Sequence, residues 1–275
     1  MCATSRGALG ALLRHWLLPL FPFLLFALLY SSMNLLPNYR VNRVDIEGVY
    51  LLERTLFPLP AQGIKDSEGV FSQTDDVMTP CEWCYAHHIA ALDILSGCFY
   101  LLWVPLPILF CLFLCWRRQS NWALRFSTAF LVVNLVGFAG YYIHPSAPPW
   151  YVMFFGTEFV ADTPGNMAGF ARFDSLTHTT IFHSIYEKNA NVFAAIPSLH
   201  AAYNPVAAFY AWKSGHRRFW FPLLCAVSLG ICLSAVYSAH HYIIDVLLGL
   251  LTALIGMAAF ETCLPKNVKT HCCRR

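Results

Sequence analysis

The sequence predicts an all-α polytopic membrane protein, a bundle of six transmembrane helices, on three observations. Of its 275 residues, 57% are hydrophobic and only 12% charged, whereas a soluble domain carries about a quarter charged residues. Apolar segments recur near residues 16–36, 95–116, 126–143, 199–212, 219–237 and 243–260, and a spanning helix needs about 20 such residues. The cations also segregate: Arg6, Arg14, Arg117, Arg118, Arg125, Lys213, Arg217, Arg218, Lys266, Lys269, Arg274 and Arg275 fall at the ends of segments that share one side. These are twelve of the 18 Lys+Arg, and of the 15 acids only Glu261 joins them. The positive-inside rule then places both termini in the cytosol and the loops after segments one, three and five outside.

The first segment runs on past the length of a signal-peptide core, and no small-residue cleavage site closes it, so it reads as a retained span. The loop that follows, 37–87, is long and mixed in charge, and loops beyond about 15 residues are usually functional or mobile. Its stretch "VDIEGVYLLERTLF" has the apolar spacing of an interfacial amphipathic helix; the preferred reading is a solvated external lid without a catalytic residue. Near its end stand Cys81, Cys84, His87 and His88, the residue types of a zinc site. One short cysteine pair with no second knuckle favours a disulfide or plain thiols, and no metal is expected. Cys98, Cys111, Cys115, Cys225 and Cys232 lie in apolar runs and act as small hydrophobes. Cys272 and Cys273, beside a basic tail, are open to palmitoylation or to no modification.

The polar residues gather at three places on the outer side. Segment three gives way to "HPSAPPWY", where three prolines stiffen the chain and Trp150 and Tyr151 suit a membrane boundary. Next comes a loop with Arg172, Asp174, His178, His183 and Lys188. Segment four opens with "FAAIPSLHAAY". Ser198 is placed to cap that helix by hydrogen bonding, His200 falls in its first turn, and the helix start can aim N–H groups at an anion. This segment is short and begins inside protein. Between segments five and six lies "AHHYIIDVLLG", with His241 and Asp245 four apart on one helix face. That pairing fixes the imidazole tautomer and raises the basicity of its other nitrogen. His200, His241 and Asp245 facing one cavity suffice for attack on phosphorus, with one imidazole as nucleophile and the other as general acid. His87, His88, His144, His178 and His183 read as interfacial polar residues.

These residues resemble a known family. "PSLH" followed by Ser234, His241 and Asp245 in the pattern S-x6-H-x3-D resembles the type-2 phosphatidic acid phosphatase and haloperoxidase superfamily. "HPSAPPWY", "ARFDSL", "FAAIPSLHAAY" and "AHHYIIDVLLG", in that order, resemble its inositol phosphorylceramide synthase branch over residues 142–250. The resemblance implies a six-helix membrane fold with an extracytoplasmic active site. It also implies that His241 attacks a phospholipid phosphodiester, Asp245 orients it, and His200 protonates the departing diacylglycerol oxygen. A ceramide-like hydroxyl then takes the headgroup from His241, and no metal or other cofactor is required. The superfamily's upstream K-x6-R-P is missing, Ala235 stands where its phosphatases carry Arg, and Leu199 replaces the Gly of "PSGH". A phosphomonoester carries about two charges and favours several cationic donors, so their loss argues for a diester and for transfer over hydrolysis of phosphatidate or an isoprenyl diphosphate. Arg172, in the "ARFDSL" element, is the candidate to stabilise transition-state charge, with an Arg172–Asp174 ion pair as the structural alternative. Ser198, His240 and Lys188 complete the substrate-binding set.

The partners implied are a phospholipid donor and a ceramide-like acceptor within the membrane; nucleic acid is not expected. The expected layout is a single membrane domain over 1–275, with a catalytic core at about 142–250 and an extracytoplasmic loop at about 37–90. The compact chain points to a bacterial inner membrane with a periplasmic site, a Golgi membrane with a lumenal site being the alternative. The motifs leave the headgroup, the acceptor and the oligomeric state open.

Overall fold

The computed structural model describes residues 10–61, 77–187 and 191–263. Lys188, Cys272, Cys273 and the cations at 6, 266, 269, 274 and 275 lie outside the described residues. The first segment forms α1, Gly10–Ser32, with a π-turn at Leu13–Leu17. In the loop beyond it, α2 (Glu47–Leu56), a two-residue β1–β2 hairpin (Leu59–Pro60, Val77–Met78) and α3 (Pro80–Ala86) pack as a small layer at one end of the bundle. α3 starts on a capping box: Thr79 Oγ1 accepts the Glu82 N–H while Glu82 accepts the Thr79 N–H. This reciprocal pairing satisfies two donors at a helix start.

The second apolar segment breaks into α4 (Ala90–Tyr100) and α5 (Pro105–Trp116), bent by 42°. Pro105 starts α5 at the position where its missing N–H costs nothing. The third is continuous as α6 (Ser120–Ile143). Three short helices, α7 (Pro149–Phe155), α8 (Phe170–Thr177) and α9 (Ile181–Tyr186), fold over the same end of the bundle. α10 (Leu199–Lys213), α11 (Trp220–Tyr237) and α12 (Ile243–Cys263) complete it. The sequence's six apolar segments therefore all become helix. Among the described residues α1, α6, α11 and α12 are long and apolar enough to cross a bilayer, and the bent α4–α5 pair adds a fifth. α10, at 15 residues, is the short segment.

α10 is the hub, packed on α5, α6, α11 and α12. Its buried Ala201, Ala202, Ala207, Ala208 and Ala211 let neighbouring backbones approach closely, the usual device of helix packing in lipid. Opposite them, Phe23, Phe26, Phe126, Phe130 and Tyr203 interlock as edge-on and tilted rings 4.5–5.9 Å apart, geometries that aromatic quadrupoles favour. The outward faces of α1, α11 and α12 show Leu24, Leu28, Leu229, Leu233, Leu247 and Leu254, each more than half exposed. Continuous apolar surface of this kind marks a membrane face. At the far end Arg125 pairs with Glu261, whose Oε1 also accepts the Tyr210 hydroxyl at 2.6 Å. That tie joins α6, α10 and α12 and gives the one acid on the cation-rich side a partner.

Candidate active site

The four sequence motifs meet around the turn between α11 and α12. Ala239 takes a left-handed backbone (φ 59°), which folds the chain back so that the N–H groups of His240 and His241 both donate to the Ala235 carbonyl. Three other segments then clasp the turn. Trp150 N–H donates to Ala239 O, and Gly169 N–H to Ser238 O, each at 3.0 Å. The Cys81 thiol donates to His241 O at 3.2 Å. Ser198 N–H donates to Asp245 O at 3.0 Å, joining the start of α10 to the first turn of α12. That approach is close enough to need Gly249, since a Cβ there would lie 2.1 Å from Ser198 O.

The two imidazoles and the carboxylate line up. Asp245, fully buried, accepts from His241 Nδ1 at 3.3 Å and from the Tyr242 N–H at 2.9 Å, both on Oδ2. A carboxylate only accepts, so Nδ1 carries the proton and Nε2 keeps its lone pair. His241 Nε2 in turn sits 3.1 Å from His200 Nδ1. Burial pushes His241 down to about 4, only partly offset by a hydrogen bond to the Ala195 carbonyl, because the charged form is poorly solvated there. At neutral pH the ring is uncharged and its lone pair available.

His200 and His241 line a cavity of about 170 Å³ whose walls are mostly aromatic: Tyr30, Tyr100, Trp103, Tyr141, Trp150 and Tyr186. Tyr100 stacks on His200 at 4.9 Å, and Trp103, in the break between α4 and α5, tilts against it at 4.5 Å. Among the described residues no Lys or Arg lines this space.

The remaining site candidates divide. Ser198 is fully buried and takes the extended backbone usual at an N-cap, but its hydroxyl has no hydrogen-bond partner and does not cap α10 as expected; its backbone N–H donates to Asp245 O. His240 lines the cavity but is pinned, its Nε2 donating to Met167 O at 2.7 Å and its ring stacked on Tyr186 and Phe170. Arg172 stands outside the cavity lining, its Nε donating to the buried Asp93 at 2.8 Å and its guanidinium lying over Tyr85 and Tyr237. It does not pair with Asp174 as the alternative had it; that carboxylate accepts the N–H groups of Phe182 and His183 at the start of α9. Cys81 and Cys84 are free thiols. His87 and His88 turn their Nδ1 atoms to the carbonyls of Trp83 and Tyr85, and no cluster of three or more metal-ligating side chains forms among the described residues.

Sequence reading missed Asp93 and Glu53, and the contact that Cys81 makes with His241. Glu53 is wholly buried on α2, and its carboxylate accepts the N–H groups of Ile243 (2.8 Å) and Ile244 (3.2 Å) at the start of α12. Burial raises its pKa, partly offset by those two hydrogen bonds. A signal existed: Val49 and Glu53 are four apart, so the acid shares the apolar stripe of its helix.

Comparison with known proteins agrees with this geometry. Residues 76–259 match the PAP2 superfamily. The chain is 50% identical over 242 residues to the phosphoinositol dihydroceramide synthase of Bacteroides thetaiotaomicron, covering 88% of this chain and 75% of that one. It is 26% identical over 263 residues to the inositol phosphorylceramide synthase catalytic subunit of Schizosaccharomyces pombe, covering 92% of this chain and 56% of the yeast protein. No solved structure matches. With two motif histidines and their aspartate joined at one cavity and the family match spanning most of the helical bundle, the chain belongs to the PAP2 superfamily.

Proposed function

We propose that the protein is a lipid phosphotransferase that moves a phosphoinositol-type headgroup from a phospholipid to ceramide or dihydroceramide through a phosphohistidine. The Asp245–His241–His200 line at the cavity wall is the observation that carries this reading, supported by the names of the relatives above. The donor's phosphodiester enters between the two imidazoles, displacing their mutual hydrogen bond. His241 Nε2 attacks phosphorus, the bond to the diacylglycerol oxygen breaks, and His200 gives that oxygen a proton. The acceptor hydroxyl then attacks phosphorus, His200 takes its proton, and the P–N bond to His241 breaks, returning the enzyme to its starting state.

A cavity without Lys or Arg among the described residues favours the singly charged diester over a monoester. The partnerless Ser198 hydroxyl and the start of α10 supply neutral donors to the phosphoryl oxygens. Arg172 would join them only by leaving Asp93, and Lys188 and His240 remain headgroup candidates. α10 counts as the sixth span, held inside protein, in a single membrane domain with a core at about 142–250. The cation-rich helix ends face the cytosol and the site opens to the periplasm of a bacterial inner membrane, the Golgi lumen being the other placement.

Purified protein in detergent, given labelled phosphatidylinositol and ceramide, is expected to form an inositol phosphorylceramide. Release of free phosphate from phosphatidate, with no new sphingolipid, overturns the transfer reading.

A further inference from the structure

We propose that Glu53, on helix α2, is a positioning residue for catalysis: by holding the first turn of α12 it leaves Asp245 free to hold His241. The proposal rests on His241 and Asp245 acting as the preceding section has them.

A helix start leaves N–H groups without internal partners, and buried ones must find acceptors. At α12 two carboxylates divide the task. Asp245 Oδ2 takes Tyr242, and Glu53 takes Ile243 and Ile244 with one oxygen each. Asp245 Oδ2 is also the acceptor that orients His241, and its Oδ1 has no hydrogen-bond partner. Without Glu53, two partly buried N–H groups lie beside a carboxylate with an idle oxygen. Its shortest response is to turn toward them, which takes Oδ2 away from His241 Nδ1. The nucleophile then loses the contact that fixes its tautomer and aim.

α2 is built to deliver this carboxylate. Ile46 and Val49 bury with Glu53, while Leu51, Leu52 and Leu56 on the other side are about half exposed. The helix is anchored by Tyr50 to Glu82 on α3 (3.1 Å), and α3 carries the Cys81 thiol that grips His241 O. This layer therefore touches the nucleophile turn at both the His241 carbonyl and the first turn of the following helix.

The test compares wild type with Glu53→Ala and Glu53→Gln in detergent. Turnover is followed as consumption of labelled phosphatidylinositol, whether the headgroup passes to ceramide or to water. Amide hydrogen exchange at residues 242–246 is read separately, so a wrong acceptor assignment does not hide the result. Glu53→Ala is expected to speed exchange at Ile243 and Ile244 and to lower kcat about 100-fold, the scale of a small misplacement at a reacting centre, with KM for the donor nearly unchanged. Glu53→Gln, with one acceptor oxygen and the same volume, falls between, and it carries the test if the alanine variant does not survive purification. A folded variant with faster exchange but kcat within threefold of wild type overturns the proposal, as does a loss confined to KM or to thermal stability.

Discussion

At His241 two demands conflict: a nucleophile needs an available lone pair, and a buried ring resists charge. The structure meets both by burying the ring uncharged, with its Nδ1–H hydrogen-bonded to Asp245. His241→Ala should abolish turnover while the protein still inserts and folds, as judged by gel filtration in detergent. Asp245→Ala removes the acceptor that fixes the ring tautomer; turnover should drop at least about 100-fold, the scale of a mispositioned acid–base group. The pH dependence follows from the sign of the shift. A free imidazole titrates near 6.5, whereas His241 holds off protonation to about 4, so the lone pair survives as pH falls through 6. Turnover should persist to about pH 5; a half-loss near 6.5, the unshifted value, counts against a buried neutral nucleophile. Stability moves with it: below 6.5 the unfolded ring takes up a proton that the folded ring refuses, so the fold weakens progressively as pH drops toward 4.

Among elements, the start of α10 and the first turn of α12 matter most, because Ser198 and Asp245 bind each other through the backbone there. Gly249 is the hinge of that contact. Gly249→Ala puts a methyl 2.1 Å from Ser198 O and must push the two helices apart, at a cost of about 1–3 kcal/mol. A lowered melting temperature in detergent, together with reduced turnover, is the expected result; unchanged values for both would mean that the helices have room. The elements themselves were legible in the sequence, since apolar length and cation placement mark helices in a bilayer whatever their packing. The His241–Asp245 pairing was legible because the two stand four apart where a helix begins, while His200, on another helix, was joined to them by the resemblance of its motif. The partners of Glu53 and Asp93 were not legible, because each works across 79 or more positions of chain, and an acid carries no mark of its distant partner.

Across the whole molecule, the two ends of the bundle carry opposite kinds of polar chemistry. One end holds a partly buried Arg125–Glu261–Tyr210 tie, the other two hydrogen-bonded imidazoles in an aromatic cavity. A fluorescent protein fused to the C terminus should mature in the cytosol, with fluorescence in intact cells as the readout; a dark fusion that regains signal only after the orientation is reversed would invert the assigned sidedness.

The cavity's volume has a consequence for the membrane itself. At about 170 Å³ it falls below the roughly 300 Å³ at which pockets begin to enclose a drug-sized ligand, so two acyl chains cannot follow a headgroup inside. The tails of the proposed donor and acceptor are then expected to stay among their neighbours and to be met sideways, in two dimensions. Donors differing only in tail length should react at similar rates in mixed micelles. Each cycle takes two lipids from a monolayer and leaves two behind, so an enzyme of this shape can rewrite the chemistry of a membrane surface without changing its census.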